Sequence, residues 1–453
     1  MAYGAMHDRM MALADCNNFF VSCERRADSL LDGVPVVVLS SNDGCVISRS
    51  NEAKMLGVRM GVPYFKVRDF LAANKVTVRS SSVSFYSEVS AEVMDCIRRH
   101  SDAVEVYSID ECFFNMAIAS VSDPAAYCRS LRNAVWDSCR IPVSIGIAPT
   151  KTLCKLASEH AKKHAETGGV FWLDRSMYDD AGFMGRFLCR DIWGIGAARA
   201  KRLEDHGVLT AADFMRKDEM WVRSVFDSAA LYTLWELKGR LMYPIISESS
   251  DPKSVRVSRS FGSPLVAYED LLSPLRCFVS AAARQLRMSR QAARRMSIHI
   301  ETSRFMRGGC YAASRDAVFP EPKFWDADFI SAAEDILRDI YVPGYKYKKC
   351  GVVLSSLSDI SCAAQMSLFE ERAGSSLCER KRSAADAVDA INAECGRSVI
   401  KPAVLYDPDD AQRKWAPRSE HRRQDVLKSK ENNLPVCGCR GPRFQNIAAD
   451  FIR

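Results

Sequence analysis

A chain of 453 residues is too long for a single hydrophobic core and predicts three to five domains. Its 47% hydrophobic and 26% charged residues exclude a collagen-like or disordered chain, and no apolar run approaches the roughly 20 residues that span a bilayer. With 63 Lys+Arg against 56 Asp+Glu the net charge is only +7, so where the charge lies says more than its total.

The first nine residues read as a lead-in, with Met10 or Met11 as an alternative start. No apolar signal segment follows, so the expected location is cytoplasmic, with no membrane partner. Residues 11–15 form a short apolar run ending in an acid, followed by Cys16-Asn17-Asn18-Phe19-Phe20 and a helical pattern through Val21, Cys23 and Ala27. The β-branched run 36–39 predicts a buried strand. Asn42-Asp43-Gly44 is a turn signal before a second short strand, and 51–56 reads as a helix stopped by Gly57. A helix is predicted over 84–99, then a strand over 104–107 running into Ser108-Ile109-Asp110-Glu111. A helix over 123–138, a strand over 143–147 and a helix over 150–164 follow. Strands alternating with helices describe an α/β sheet domain. Residues 186–242 are helical in pattern throughout. From Val255 strand and helix return: a long basic helix over 275–295, a strand over 296–302 and a closing strand over 351–357. Beyond Ser358 the chain is polar and irregular apart from a helix near 383–395.

Between Lys253 and Arg307 eleven basic residues face only Glu269, Asp270 and Glu301. Such an excess is the footprint of a polyanion partner, with a solvated helix face as the plainer reading. Arg256, Arg259, Arg284 and Arg287 are the candidate contacts. The seventeen cysteines follow no spacing rule and read as buried, reduced thiols. Cys437-Gly438-Cys439 has no second pair beside it to complete a zinc site. His160 and His164 stand one helical turn apart, but Ala161 replaces the glutamate of a metalloprotease motif, so they read as surface histidines.

Asp15 and the adjacent Asp110-Glu111 stand at strand ends. Neighbours on a regular strand point to opposite faces, so Asp110 and Glu111 share a site only where the strand gives way to a turn. Gathered carboxylates repel one another without cations, and hard oxygen ligands suit Mg²⁺. Two such ions can activate an attacking hydroxyl and steady a departing pyrophosphate. Ordinary turn acids are the alternative on spacing alone. Separately, Gly194-Ile195-Gly196 joins two helical patterns and looks like a helix–hairpin–helix. There, backbone N–H groups can approach a phosphate, with Gly194, Gly196, Arg199 and Lys201 as the candidate contacts.

The stretches Asp15-Cys16-Asn17-Asn18-Phe19-Phe20 and Ser108-Ile109-Asp110-Glu111 resemble the two carboxylate motifs of Y-family lesion-bypass DNA polymerases. So do Gly44-Cys45-Val46-Ile47, Glu52-Ala53-Lys54 and Gly146-Ile147-Ala148-Pro149-Thr150-Lys151. Order and spacing fit over about residues 12–423, and the UmuC-like branch matches best. The resemblance implies a right-hand polymerase, multidomain α/β and α+β. Its palm would span 10–25 and 80–175, its fingers 26–79, its helical thumb 176–250, its α+β little finger 253–358 and its tail 359–453. It implies Asp15, Asp110, Glu111 and the Cys16 carbonyl as ligands of two Mg²⁺ ions. Phe20 would be the steric gate that excludes a 2′-hydroxyl, beside Phe19. Lys162 and Lys54 would reach the triphosphate, while Asn51 stands where many relatives place a tyrosine. Cys45, Ile47 and Gly61 would roof the nascent base pair.

Gln365-Met366-Ser367-Leu368-Phe369 resembles the peptide that docks bacterial polymerases on the sliding clamp, with Gln365, Leu368 and Phe369 as its anchors. The expected activity is template-directed, error-prone addition of dNTPs to a primer 3′-hydroxyl on damaged DNA, without proofreading. A UmuD-like subunit and a RecA-like filament are implied as further partners. Two rivals remain. A nucleotidyl cyclase would share palm and carboxylates but has no need of a thumb and a basic module; a catalytically silent scaffold of a repair complex has no need of intact carboxylates.

Overall fold

A computed structural model describes residues 10–116, 123–247, 251–303, 310–361, 373–395, 399–405, 415–416 and 418–422. The chain divides into two compact units: one up to Val38 and from Val46 to Ser249, the other Leu39–Cys45 with Ser250 onward. In the first, β1 (Met11–Cys16) leads through α1 (Phe19–Ala27) to a small sheet ordered β3-β2-β4. Its strands are β2 (Val36–Leu39), β3 (Val46–Arg49) and β4 (Thr77–Ser80), with α2 (Asn51–Met55) and α3 (Tyr64–Ala73) between the last two. The chain returns through α4 (Val83–Arg98) to β5 (Val104–Val106), β6 (Glu111–Asn115), α5 (Pro124–Cys139), β7 (Val143–Ala148), α6 (Lys151–Lys163) and β8 (Val170–Trp172). These strands and β1 form a mixed sheet ordered β5-β6-β1-β7-β8. β1 is antiparallel to both neighbours, and β7 and β8 are parallel. Short helices complete the unit: α7 (Arg175–Tyr178), α8 (Ala181–Met184), α9 (Ala197–Asp205), α10 (Ala211–Met215), α11 (Glu219–Val225) and α12 (Ser228–Leu237).

The central strand is buried on both faces, and the alternation of its side chains sorts them into two cores. Ala12, Ala14 and Cys16 pack with Val93 and Ile97 of α4 and Leu131 and Val135 of α5. Met11 and Leu13 pack with Leu153 and Leu156 of α6 and with Leu203, Phe214 and Leu234 of the helical segment. Asp15 therefore belongs to the α6 side. That helix lies so close to the sheet that a Cβ at Gly146 of β7 would overlap the backbone of Cys154, Ala157 and Ser158. Its first turn is held by a fully buried acid: Thr150 caps the helix and donates to the Glu236 carbonyl, while Thr152 N donates to the Glu236 carboxylate at 3.0 Å. Carboxylate at a helix N-terminus is favoured by the unpaired N–H groups there.

In the second unit β9 (Ser254–Leu265), α13 (Tyr268–Met288), β10 (Gln291–Thr302), β11 (Ala312–Lys323), α14 (Asp326–Ile340), β12 (Tyr347–Asp359) and α15 (Ala373–Glu394) follow in order. The strands form an antiparallel sheet ordered β11-β10-β12-β9. Leu275, Val279 and Leu286 of α13 and Phe329 and Leu337 of α14 pack on Met296, Ile298, Val352 and Leu354. The described cysteines are all free and mostly buried. Among the described residues no helix is long and apolar enough to cross a membrane.

This unit departs from the sequence reading in instructive ways. The basic helix starts at Tyr268, passes through Pro274 and ends at Met288 rather than at 295. Arg290 turns the chain at φ 53°, and the Arg294-Arg295 stretch is strand, hydrogen-bonded on both sides by β11 and β12. Pairing on both flanks overrides the helix propensity of an Ala/Arg run. β11 and α14 escaped the sequence reading; β11 is a mostly exposed edge strand containing Pro320 and Pro322, with no buried run to mark it.

The predicted duplex arginines do not act together. Arg287 is 6% exposed and bridges Asp326 at 2.6 Å and Asp389 at 2.8 Å, fastening α15 to α13 and α14. Arg284 approaches the same Asp389 at 3.9 Å, and Arg276 pairs with Glu334 at 2.7 Å. The partners come from outside the counted window, so the excess is smaller than it looks in the sequence. Arg256 and Arg259 lie three residues apart on β9 and point to opposite faces: Arg259 sits opposite the core residue Cys350, Arg256 opposite Val353. Replacing Arg287 by Ala removes the close cation of two mostly buried carboxylates, leaving Asp389 with the longer Arg284 contact, and should destabilise the second unit by roughly 3 kcal/mol. Chemical denaturation measures this. A loss of duplex affinity at unchanged stability would instead return Arg287 to the DNA-facing set.

Candidate active site

β1 and β6 are antiparallel neighbours in a register that sets Asp15 directly opposite Glu111. Asp110 occupies the turn between β5 and β6, where its carbonyl accepts Cys16 N at 2.8 Å and its carboxylate accepts the Ser108 hydroxyl at 2.5 Å. The turn is tied by Tyr107 N and Ser108 N, both donating to the Glu111 carbonyl. So the structure brings the three predicted acids together at one end of the sheet. Like charges directly opposite across a strand pair are destabilising. Burial foremost, with Asp110 and Glu111 adding and Lys162 opposing, pushes the Asp15 carboxyl up to about 7.

Helix α6 supplies the compensation. Lys162 lies 2.6 Å from Asp15 Oδ2, and Lys155 lies 2.8 Å and 2.9 Å from the two Glu111 oxygens. One turn before Lys155, Lys151 is 4% exposed and grips both oxygens of Glu105 at 2.6 Å. Spacings of four and seven residues put all three amines on one helix face. Burial would lower Lys162, but Asp15 and its neighbours hold it above its ordinary value. Lys155 also sits against the rings of Tyr107 at 4.4 Å, Phe113 and Trp193, and the Trp193 ring N–H donates to the Tyr107 hydroxyl. The sequence reading found Lys162 and missed Lys151 and Lys155; their shared helical face was the available signal.

The donor set is hard oxygen and fits Mg²⁺ in kind. Among the described residues no three His, Cys, Asp or Glu side chains close on a common point at ligand spacing, and Asp15 and Glu111 are each directed to a lysine.

The remaining predicted residues separate into groups. Phe19 is core, 3% exposed, whereas Phe20 is half-buried and stacks on Tyr86. Asn18 starts α1 in the left-handed conformation with no side-chain cap, and no acid lies in the helix's first turn. The Asn51 side-chain carbonyl gathers Asn18 Nδ2 at 3.1 Å and Lys54 Nζ at 3.3 Å. Ile47 is half-buried beside Val46, whose carbonyl accepts Gly61 N, while Cys45 belongs to the second unit. Gly196 precedes α9, and Lys201 is exposed. Arg199, however, donates to the Gly194 carbonyl and pairs with Asp227, both at 2.6 Å, tying the hairpin to the start of α12. His160 is a correction: it stacks on His164 at 4.0 Å and meets the Phe171 ring at a tilt, 4.2 Å between centroids, inside an aromatic cluster rather than on open surface. Gln365, Leu368 and Phe369, with Cys437 and Cys439, lie outside the described residues.

Solved structures of similar fold define the class. A Y-family DNA polymerase chimera of Dbh and Dpo4 covers 77% of this chain and 98% of its own at a TM-score of 0.64, with 22% identity. An insertion ternary complex of Dbh DNA polymerase covers 76% and 98% at 0.54, with 20% identity. The fold is that of a Y-family DNA polymerase. The profile of the impB/mucB/samB family matches residues 14–159, and that of its C-terminal domain matches 252–368. Protein UmuC of Salmonella typhimurium is 33% identical over 93% of this chain and its own whole length. Protein MucB of Escherichia coli is 32% identical over 84% of this chain and 90% of its own, and DNA polymerase IV of Picrophilus torridus is 27% identical over 58% and 73%. The chain belongs to the impB/mucB/samB family.

Gly146→Ala tests the geometry on which the lysine row depends. Backbone stands on the far side of the missing Cβ, so the substitution should destabilise the first unit by at least roughly 1–3 kcal/mol. Thermal unfolding reads it directly; a variant as stable as the parent would mean that α6 can lift from the sheet freely.

Proposed function

We infer that this chain is a template-directed DNA polymerase of lesion bypass, adding dNTPs to a primer 3′-hydroxyl with low fidelity and without proofreading. The observation that carries this reading is the opposed pair Asp15 and Glu111 with Asp110 in the adjoining turn, set in the fold of a Y-family polymerase. The names of its relatives, UmuC and DNA polymerase IV, agree with it. A silent scaffold would have no use for this carboxylate cluster.

Asp15, Asp110, Glu111 and the Cys16 carbonyl would hold two Mg²⁺ ions, which supply activation of the primer hydroxyl and stabilisation of the departing pyrophosphate. The uncapped start of α1 offers backbone N–H groups to a phosphate beside them. Lys162 and Lys54 bring cationic charge to the same end of the sheet and orient the triphosphate. For Lys162 this entails exchanging Asp15 for phosphate oxygen. Phe20 presents its exposed edge to the sugar and excludes a 2′-hydroxyl, while Cys45, Ile47 and Gly61 leave room over the template base. Gly194, Gly196 and Lys201 contact duplex phosphates, as does Arg256 on the open face of the second unit's sheet. The peptide Gln365 to Phe369 docks on a sliding clamp. The setting is the cytoplasm of a bacterium, with a UmuD-like subunit and a RecA-like filament as further partners.

Asp110→Ala and Glu111→Ala should each abolish primer extension on intact and abasic templates while leaving duplex binding near the parent, because affinity comes mainly from phosphate contacts elsewhere. Extension and binding are measured on one primed template. Parental extension by either variant would falsify the carboxylate assignment.

A further inference from the structure

Phe20 and Glu24 stand four residues apart on α1 and share one face of that helix. Both reach the same side chain on α4. Phe20 stacks on the Tyr86 ring with centroids 4.8 Å apart and planes 22° from parallel. The Tyr86 hydroxyl donates to Glu24 Oε1 at 2.7 Å. One helix thus grips a single tyrosine at its face and at its tip. Tyr86 is fully buried and Glu24 is 2% exposed, so the bond is made away from water, where it constrains most. Burial, then the Glu24 charge, pushes the phenol well above its ordinary range, and it stays a donor. Arg79 on β4 approaches Glu24 Oε2 at 3.9 Å and Asp28 at 3.2 Å, which orients the carboxylate from its other side.

Phe20 is only half-buried, and its position is fixed from beneath. Ribose and deoxyribose differ by one oxygen, so a ring that tells them apart must be held in place to a fraction of an ångström. We propose that Glu24 and Tyr86 are positioning residues for sugar selection: their buried hydrogen bond fixes the ring on which Phe20 rests, and so fixes the clearance above Phe20. The proposal rests on the reading of Phe20 as the sugar-contacting residue.

The test compares rNTP and dNTP insertion on one primed template for the parent, Phe20→Ala, Tyr86→Phe and Glu24→Gln, with thermal unfolding alongside. Tyr86→Phe keeps the ring and its packing and deletes only the hydroxyl. It should lower the ratio of dNTP to rNTP kcat/KM by about tenfold, chiefly by raising rNTP use. Glu24→Gln retains an oxygen that accepts the phenol and should keep most of the discrimination. The proposal is overturned if Tyr86→Phe discriminates like the parent while Phe20→Ala does not. It is overturned equally if Tyr86→Phe slows dNTP and rNTP insertion by the same factor, which is a merely structural effect. A Phe20→Ala enzyme with parental discrimination is a separate result: it removes the reading of Phe20 and the proposal with it.

Discussion

Two carboxylates facing each other across antiparallel strands, with a third in the adjoining turn, repel one another at the end of a buried sheet. Much of the first unit answers that repulsion. Helix α6 aligns three lysines with three acids of the sheet and its edge, and it can do so only because Gly146 lets its backbone settle onto β7. Glu236 then holds the first turn of the same helix, and its other oxygen accepts Met242 N and Tyr243 N, so the chain leaving the helical segment is tied to the same point. The amines of α6 thus offset charge that the sheet end would otherwise carry unpaired.

Buried ion pairs serve differently in the second unit. There Arg287 joins three helices through two acids, and its worth lies in what its removal would leave behind, since an uncompensated buried charge costs far more than the intact pair contributes. Pairs such as Arg338 with Asp335 are exposed and of little energetic weight. The same residue type therefore plays two parts on one domain. Arginine is a fastener where acids from distant segments reach it, and a solvent-facing residue on the open face of the sheet, as at Arg256.

The acids were legible because their type and placement are dictated by chemistry: an acid closing an apolar strand, and an acid pair where a strand meets a turn. Most elements of the first unit were legible for a related reason, since buried runs and caps such as Asp123 and Thr150 are local signals. What the sequence hid was long-range. Asp389, the shared partner of Arg284 and Arg287, lies more than a hundred residues away, and no window count finds it. β11 carries no apolar run, and the Ala/Arg stretch of β10 becomes strand only when flanking strands arrive. Phe19 and Phe20 look alike in sequence; helix periodicity makes one core and leaves the other half-buried against Tyr86 of α4.

The fastening of α15 also bears on where the chain can be cut. The region matched by the family's C-terminal domain closes at residue 368, before α15 begins at Ala373. A recombinant fragment ending there would keep Arg287 and Asp326 but lose Asp389. It would also lose the buried Ala385 and Asn392, the latter exchanging two hydrogen bonds with Ile400. A homology boundary is thus not a folding boundary in this chain. Fragments meant to behave as the intact second unit need to run past residue 400, and a protease that severs the chain before α15 would leave two pieces that still hold each other through the Arg287 and Arg284 contacts to Asp389 and the Lys381 pair with Asp328.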